Sequence, residues 1–185
     1  MYLIVGLGNP EPEYSKTRHN MGFDTINKIA KEFEISVSKE KYEGLNGVGT
    51  INGEKVILLK PQTYMNLSGK CIKKYVDFYK IDWSNIIVIY DDMDVEKGEI
   101  KVRKMGGPGT HNGMRSVVSE LQIEEFPRIR VGIGKADEPY EMIDYVIKPI
   151  SEEEYTILDK GTDRAKEAVI EYIKNGIDSA MNKYN

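Results

Sequence analysis

Two histidines are the side chains of this sequence best suited to proton transfer near neutral pH. His19 lies in Arg18-His19-Asn20, shortly after the tight turn Gly6-Leu7-Gly8-Asn9-Pro10, and His111 lies in a second polar, glycine-rich stretch. A histidine placed where a strand turns into a helix is a candidate general base. The ordinary alternative is a surface or helix-capping histidine, and the position of His19 alone favours neither interpretation.

Two aspartates follow a continuous apolar run over residues 86–90, which stops at Asp91-Asp92. Such a run is typical of a buried strand. Open α/β sheets place their functional sites at the carboxyl ends of strands, so these carboxylates are candidate site residues.

Three asparagines, Asn9, Asn66 and Asn112, each fall in a turn before a predicted helix. A carboxamide both donates and accepts hydrogen bonds, so three of them meeting in one cleft would form a neutral cage around a base. Burying Asn66 without partners would be costly, and we therefore expect it to be hydrogen-bonded. Its neighbours Tyr64 and Met65 are more typical of core packing than of a site.

The stretch of residues 105–113 holds four glycines before a predicted helix. Its backbone N–H groups could approach an anion or an oxyanion, although a mobile surface loop has the same composition. Lys101 and Arg103 lie two residues apart on a predicted strand and therefore share one face. Two cations on one face suit phosphate recognition, and a solvated strand edge would give the same pattern.

A dinucleotide-binding site is the first alternative that the turn after residues 2–5 suggests. Gly6 and Gly8 follow a strand and precede a helix, but the fingerprint then requires a small residue where Glu11 stands, followed by Pro12. A glutamate at that point would also repel pyrophosphate. The pattern therefore argues against a nicotinamide or flavin cofactor, and we expect none.

Composition indicates a soluble globular chain with one domain over residues 1–185, since 40% of its residues are hydrophobic, 30% are charged and no apolar run could span a bilayer. The N-terminal segment lacks the pattern of a secretory signal, so we expect a cytoplasmic protein.

The single cysteine, Cys71, excludes an intramolecular disulfide and zinc sites with two thiolates, and we expect no metal. The net charge of −4 argues against a uniformly basic nucleic-acid binder, although residues 97–130 carry a net +3.

Apolar periodicity and turn signals predict strands interleaved with helices. The predicted strands are residues 2–5, 47–51, 55–60, 86–90, 101–103 and 129–133, with Asn52-Gly53 as a hairpin turn. The predicted helices begin near Asn20, at a Ser68 cap, at Asn112 and at the Ser151 capping box, and the last of them ends at Asn175-Gly176. This order predicts an α/β fold with a mixed sheet and helices on both faces.

The chain resembles the bacterial peptidyl-tRNA hydrolase family. The matching stretches run in the family's order from residue 5 to 134: Val5-Gly6-Leu7-Gly8-Asn9-Pro10, Tyr14, Thr17-Arg18-His19-Asn20, residues 61–69, Asp91 with Asp94, Gly106-Gly107, His111-Asn112-Gly113 and Arg130-Val131-Gly132-Ile133-Gly134. The resemblance implies a single α/β domain with a twisted, mixed and largely parallel sheet. It also implies a monomeric enzyme that hydrolyses the ester between peptide and tRNA and so recycles tRNA from aborted translation.

The resemblance also implies roles for particular residues. His19 would be the catalytic base, Asp91 would hold it in its basic and correctly oriented form, and Asn9 would distinguish N-blocked peptidyl from free aminoacyl substrates. The implied contacts to tRNA or to the peptide ester are Tyr14, Tyr64, Asn66 and Asn112, with Met65 lining the cleft. The implied contacts to the acceptor stem are Lys101, Arg103 and Arg130, the two arginines with its 5′-phosphate.

Two other functions remain open from the sequence. The same family includes a chloroplast splicing branch that uses the fold as an RNA-processing partner, so a non-hydrolytic binding module is one alternative. The presence of His19, Asp91 and the three asparagines favours the enzyme. A nucleotide-dependent oxidoreductase is the second alternative, weakened by Glu11.

A covalent route is disfavoured because Cys71 lies in a predicted helix and no serine occupies a G-x-S-x-G turn, so direct attack by water is the simpler mechanism.

Overall fold

A computed structural model describes residues 1–136 and 141–185 of the chain. Within these residues seven strands form one sheet. The strands are β1 (Tyr2–Gly6), β2 (Lys39–Lys41), β3 (Gly44–Ile51), β4 (Glu54–Pro61), β5 (Ile86–Asp92), β6 (Ile100–Arg103) and β7 (Arg128–Gly132). Their order across the sheet is β2-β3-β4-β1-β5-β7-β6.

Six α-helices accompany the sheet in the described part of the chain. They are α1 (Met21–Glu32), α2 (Ser68–Tyr79), α3 (Asn112–Leu121), α4 (Met142–Ile147), α5 (Glu152–Asn175) and α6 (Ile177–Tyr184). Short 3₁₀ helices span Pro12–Tyr14, Arg18–Asn20, Met65–Leu67 and Trp83–Asn85. Among the described helices, none combines the length and the apolar composition needed to cross a membrane.

The four central strands are parallel, and the outer strands are antiparallel to their neighbours. β1 pairs in parallel with β4 and with β5, and β5 pairs in parallel with β7. The predicted hairpin joins β3 to β4, and its turn residues Asn52 and Gly53 have φ angles of 51° and 79°. Two positive φ angles are the requirement of a type I′ turn, so the prediction is confirmed together with the mixed, largely parallel sheet.

Helices cover both faces of the sheet, as predicted. Leu3 and Val5 of β1 face a core built with α2 and α3, whereas Ile4, between them, faces a second core built with α1, α5 and α6. This alternation follows from the two-residue period of a strand. The continuous apolar run of β5 is explained in the same way, because Ile87 and Val88 each belong to one of the two cores.

One of the two predicted serine caps is wrong. Ser68 is the first residue of α2, where its hydroxyl donates to the carbonyl oxygen of Met65 at 2.8 Å. Leu67 takes the N-cap position because the chain enters α2 directly from the 3₁₀ helix before it. Ser151 does cap α5, since its hydroxyl accepts from the backbone N–H of Glu154 at 3.2 Å.

Two glycines bring α1 against the end of β1. A Cβ at Gly6 would lie 2.1 Å from the carbonyl oxygen of Gly22, and a Cβ at Gly22 would lie 2.4 Å from the backbone nitrogen of Leu7 and from the carbonyl oxygen of Ile89. No side chain fits such gaps. Gly6 is therefore required for close packing of helix on strand, which accounts for a glycine in this turn without a bound dinucleotide.

We expect Gly22→Ala to destabilise the fold by about 1–3 kcal/mol, because the added methyl group forces α1 away from β1. Gly161→Ala is the matched control, since Gly161 is also a buried helical glycine but its Cβ would meet no atom closer than 3.4 Å. Alanine is the better helix former by up to about 1 kcal/mol, so the control should be neutral or stabilising. Urea denaturation measures both, and equal stabilities for the two variants would contradict the packing argument.

Candidate active site

His19 and Asp91 come from neighbouring strands of the sheet. His19 lies in the 3₁₀ helix Arg18–Asn20, which follows β1 and leads directly into α1, and Asp91 lies at the carboxyl end of β5. Because β1 and β5 are adjacent and parallel, their carboxyl ends open onto the same edge of the sheet. The helix after β1 (α1) and the helix after β4 (α2) cover opposite faces of the sheet. The site therefore lies at a topological switch point, where the connections change from one face of the sheet to the other.

The imidazole of His19 is oriented by the carboxylate of Asp91. Its Nδ1 lies 2.9 Å from both Oδ1 and Oδ2 of Asp91, and both side chains are buried. A carboxylate only accepts, so Nδ1 carries the proton and donates it to Asp91. The remaining nitrogen of neutral His19, Nε2, therefore has its lone pair available for a proton from another molecule.

The second histidine of the chain contacts the same carboxylate. The Nε2 of His111 lies 2.9 Å from Oδ1 of Asp91, and its Nδ1 accepts from the backbone N–H of Met114 at 3.2 Å, which caps α3. Its ring lies 4.8 Å from the ring of His19 and 5.1 Å from that of Tyr90, between centroids. Both nitrogens of His111 are thus engaged, whereas Nε2 of His19 has no hydrogen-bond partner among the residues that the structure describes.

Burial and charge act in opposite directions on this pair. Burial would lower the pKa of His19, but the charge of Asp91 and the hydrogen bond to it outweigh burial and raise the pKa of His19 above its ordinary value. Burial would raise the pKa of Asp91, but His19 and His111 outweigh it and hold the pKa of Asp91 well below its usual range. Asp91 is therefore a carboxylate, and His19 is a stronger base than a free imidazole.

A cleft of about 400 Å³ opens beside the two histidines. It lies among the carboxyl end of β5, the glycine-rich loop before α3, the basic strands β6 and β7, and α4. The predicted site residues in its lining are His19, Asp91, Asn112, Arg103 and Arg130. The structure thus brings a base, its orienting carboxylate, one amide and two cations to a single cleft.

The cations come from paired strands at the edge of the sheet. Lys101 of β6 lies directly opposite Arg130 of β7, and Arg103 lies opposite Arg128. Nε of Arg130 donates to Oδ2 of Asp92 at 2.7 Å, which orients the guanidinium at the mouth of the cleft. Lys101 is not in the described lining of the cleft, but it shares one face of the sheet with the two arginines.

The three asparagines do not form the predicted cage. Asn112 lines the cleft, whereas the lining among described residues includes neither Asn9 nor Asn66. The backbone N–H and carbonyl of Asn9 pair with the side chain of Asn20 at 2.7 and 3.0 Å, which places Asn9 next to the His19 segment. Asn66 is exposed on the 3₁₀ helix before α2, so water can solvate its amide and the expected buried partners are not needed.

The other predicted substrate contacts are not in the described lining of the cleft. Met65 is buried, and its Sδ packs against Gly113 beside the ring of His111. A Cβ added at Gly113 would lie only 2.6 Å from this sulfur. Tyr64 is 73% exposed, and Tyr14 is half-buried in the turn that precedes the His19 segment. The expectation of core packing is therefore wrong for Tyr64 and confirmed for Met65.

Comparison with known proteins places this architecture in a family. The sequence profile of the peptidyl-tRNA hydrolase family matches residues 3–185. The chain belongs to the peptidyl-tRNA hydrolase family. The peptidyl-tRNA hydrolase of Caldanaerobacter subterraneus subsp. tengcongensis is 49% identical over 185 residues, covering 100% of both chains. That of Clostridium botulinum is 48% identical and covers 100% of this chain and 97% of its own. The crystal structure of peptidyl-tRNA hydrolase from Acinetobacter baumannii superposes with a TM-score of 0.95 at 35% identity, over 100% of this chain and 94% of that one.

Within this family fold, His19, Asp91 and His111 offer ligand atoms that lie within 4.8 Å of one another, so the group could hold a metal ion. The contacts themselves are those of a hydrogen-bonded network, because both imidazoles approach the carboxylate at 2.9 Å and the other nitrogen of His111 caps a helix. The expectation of a metal-free site therefore stays a prediction, with a chelator as its test.

Two residues of the site were not predicted from the sequence. His111 is one of only two histidines in the sequence, but no sequence pattern indicates that the glycine-rich loop folds back onto Asp91. Arg128 lines the cleft although its side chain is buried, and its guanidinium donates to the carbonyl oxygen of Glu124 and lies 4.3 Å from the ring centroid of Phe126. The alternation Arg128-Ile129-Arg130 was the available signal, since it places both arginines on one face.

Proposed function

We propose that this peptidyl-tRNA hydrolase cleaves the ester between peptide and tRNA by attack of a water molecule that His19 deprotonates. The observation that carries the proposal is the contact of His19 Nδ1 with both oxygens of Asp91 at 2.9 Å. It leaves Nε2 as the acceptor and points to the same division of roles as in other His-Asp hydrolases. Cys71 offers no competing nucleophile, because burial raises the pKa of its thiol to about 12.

The proton moves through one imidazole. Nε2 of His19 takes a proton as water attacks the ester carbonyl, and the resulting imidazolium is stabilised by the buried Asp91 carboxylate. His19 then returns the proton to the ribose oxygen that leaves with the tRNA, so the base is regenerated. General-base assistance of this kind contributes roughly 10²- to 10⁴-fold to the rate.

The oxyanion of the tetrahedral intermediate requires donors in the same cleft. Asn112 and the glycine-rich segment 105–113 line the cleft beside His19, and amide or backbone N–H groups there support this role. One such donor is worth about 3–4 kcal/mol in a well-studied hydrolase. We assign the remaining contacts with tRNA or the peptide ester to Tyr14, Tyr64, Met65 and Asn66.

Asn9 is proposed to distinguish N-blocked peptidyl from free aminoacyl substrates. Its backbone is tied to Asn20, one residue from His19, and these hydrogen bonds do not use its own side-chain amide. That amide is therefore left to contact the substrate near the base. A carboxamide suits a peptide group, which offers both a donor and an acceptor.

The acceptor stem and CCA end of tRNA are proposed to lie along Lys101, Arg103 and Arg130. These cations share one face of β6 and β7, and the two arginines line the cleft, which supports phosphate recognition beside the scissile ester. Recognition through phosphates and shape suits an A-form stem, because side chains cannot read the bases in its deep, narrow major groove. We propose that the reaction takes place in the cytoplasm on the enzyme as a monomer, with no protein partner and no cofactor.

We expect His19→Ala to lower the turnover of N-acetyl-aminoacyl-tRNA by about 10²- to 10⁴-fold while the affinity for tRNA changes little, because the imidazole acts on water rather than on phosphate. Single-turnover hydrolysis and filter binding measure the two quantities separately. Addition of a chelator to the wild-type enzyme should leave the rate unchanged. Unaltered turnover in His19→Ala would remove the base from the scheme, and loss of activity with chelator would instead indicate a metal on the His19–Asp91–His111 group.

We expect the double variant Arg103→Ala and Arg130→Ala to flatten the salt dependence of tRNA binding, because each lost phosphate contact reduces the logarithmic slope by about 0.7 to 0.9. The matched control is Lys39→Ala with Lys55→Ala, two exposed cations on strands toward the other edge of the sheet. Binding titrations over a range of salt concentrations give the slopes. Equal slopes for the two double variants would reject the basic strands as the phosphate site.

A further inference from the structure

Arg18, the residue before His19, makes contacts that the reaction does not use. It is 9% exposed, and its guanidinium carbon lies 3.7 Å from the ring centroid of Tyr145. One terminal nitrogen donates to the carbonyl oxygen of Tyr145 at 2.8 Å, and the other donates to Oε2 of Glu154 at 2.5 Å. A planar guanidinium that stacks on a ring and donates along two directions at once is a contact that lysine cannot reproduce.

Tyr145 belongs to α4, the helix that forms the apolar wall of the cleft. Met142, Ile143 and Val146 of α4 line the cleft opposite the basic strands, and Ile143 is 72% exposed. An isoleucine this exposed in a cleft is available to the substrate rather than to the core. The position of α4 therefore decides where the substrate meets an apolar surface.

The other described contacts of α4 are made by half-buried side chains, and Tyr145 and Val146 pack against the core. All six of its residues are described, and none of them is buried. The hydroxyl of Tyr145 donates to the carbonyl oxygen of Ile133 at 2.6 Å, and the chain after α4 is tied back by one isolated β-bridge from Pro149 to Thr17. Arg18 joins the middle of α4 to the segment carrying His19 through both the ring and the carbonyl oxygen of Tyr145.

Glu154 extends the same connection to the chain after β5. Its carboxylate accepts from Arg18 and also from Lys97, which lies between β5 and β6. The connection between β5 and β6 and the segment that carries His19 therefore meet on one carboxylate at the first turn of α5. Such a network fixes the relative positions of its members more strongly than separate pairs would.

We propose that Arg18 is a positioning residue that fixes α4 relative to His19, so that the apolar wall and the imidazole keep the separation that the substrate requires. The inference rests on the proposed role of His19. Arg18 acts on substrate binding rather than on proton transfer, since Asp91 is the charged group that sets the basicity of His19. The effect of its loss should therefore appear in KM and leave kcat and its pH dependence in place.

The test compares the kinetics of N-acetyl-aminoacyl-tRNA hydrolysis for variants of the Arg18–Tyr145 contact. We expect Arg18→Lys and Tyr145→Leu each to raise KM about tenfold with kcat changed less than about twofold, and their combination to raise it no further. Tyr145→Phe keeps the ring and should stay within about threefold of the wild-type KM. Ile143→Ala removes apolar surface from the cleft and leaves the Arg18–Tyr145 contact intact, so it should also raise KM.

The matched control is Arg164→Lys, because Arg164 also stacks on a tyrosine, Tyr184, at 5.1 Å but lies on α5 away from the cleft. It should keep the wild-type KM. Unchanged KM in Arg18→Lys and Tyr145→Leu would overturn the proposal, and so would a fall in kcat with an unchanged KM. If Arg18→Lys does not fold, as judged by circular dichroism, Tyr145→Leu and Ile143→Ala decide. A wild-type enzyme without hydrolytic activity would instead refute the proposed function.

Discussion

The carboxylate of Asp91, buried between two imidazoles, is the interaction on which the site depends. A buried charge is tolerated only when it is paired and hydrogen-bonded, and Asp91 satisfies this through His19 on one side and His111 on the other. The two histidines come from segments 92 residues apart, one after β1 and one at the start of α3. One carboxylate therefore holds the ends of two strands and a helix together, and it also makes one imidazole basic.

Close backbone packing makes that pairing possible. Gly6 and Gly22 let α1 approach β1 to distances that no side chain permits, and this brings the 3₁₀ helix of His19 against the end of β5. Arg18, next to His19, also ties the same segment to Tyr145 of α4. The segment that carries His19 is thus held both by close backbone packing and by a stacked cation, and such preorganisation favours the proton transfer proposed for His19.

Local patterns predict most of the fold, and the family resemblance implies the central pair of the site. Apolar runs and the Asn52-Gly53 turn predict the strands, and the strand end at Asp91 predicts a carboxylate where α/β sheets place their sites. Contacts between distant segments were not predictable. Arg18 and Tyr145 are 127 residues apart, and His111 reaches Asp91 from a loop whose path no periodicity describes. The exposure of Asn66 was missed for a similar reason, because the amide type alone does not reveal which side of a 3₁₀ helix faces water.

NMR titration of the imidazole protons measures the pKa of His19 directly, and the chain holds only one other histidine to assign. We expect the pKa of His19 to lie above its ordinary value in the wild-type protein and below it in Asp91→Asn, because burial then acts without the opposing charge. Asp92→Asn, which removes the neighbouring carboxylate that pairs with Arg130, should leave the pKa of His19 unchanged. A His19 pKa that is the same in the wild type and in Asp91→Asn would contradict the account.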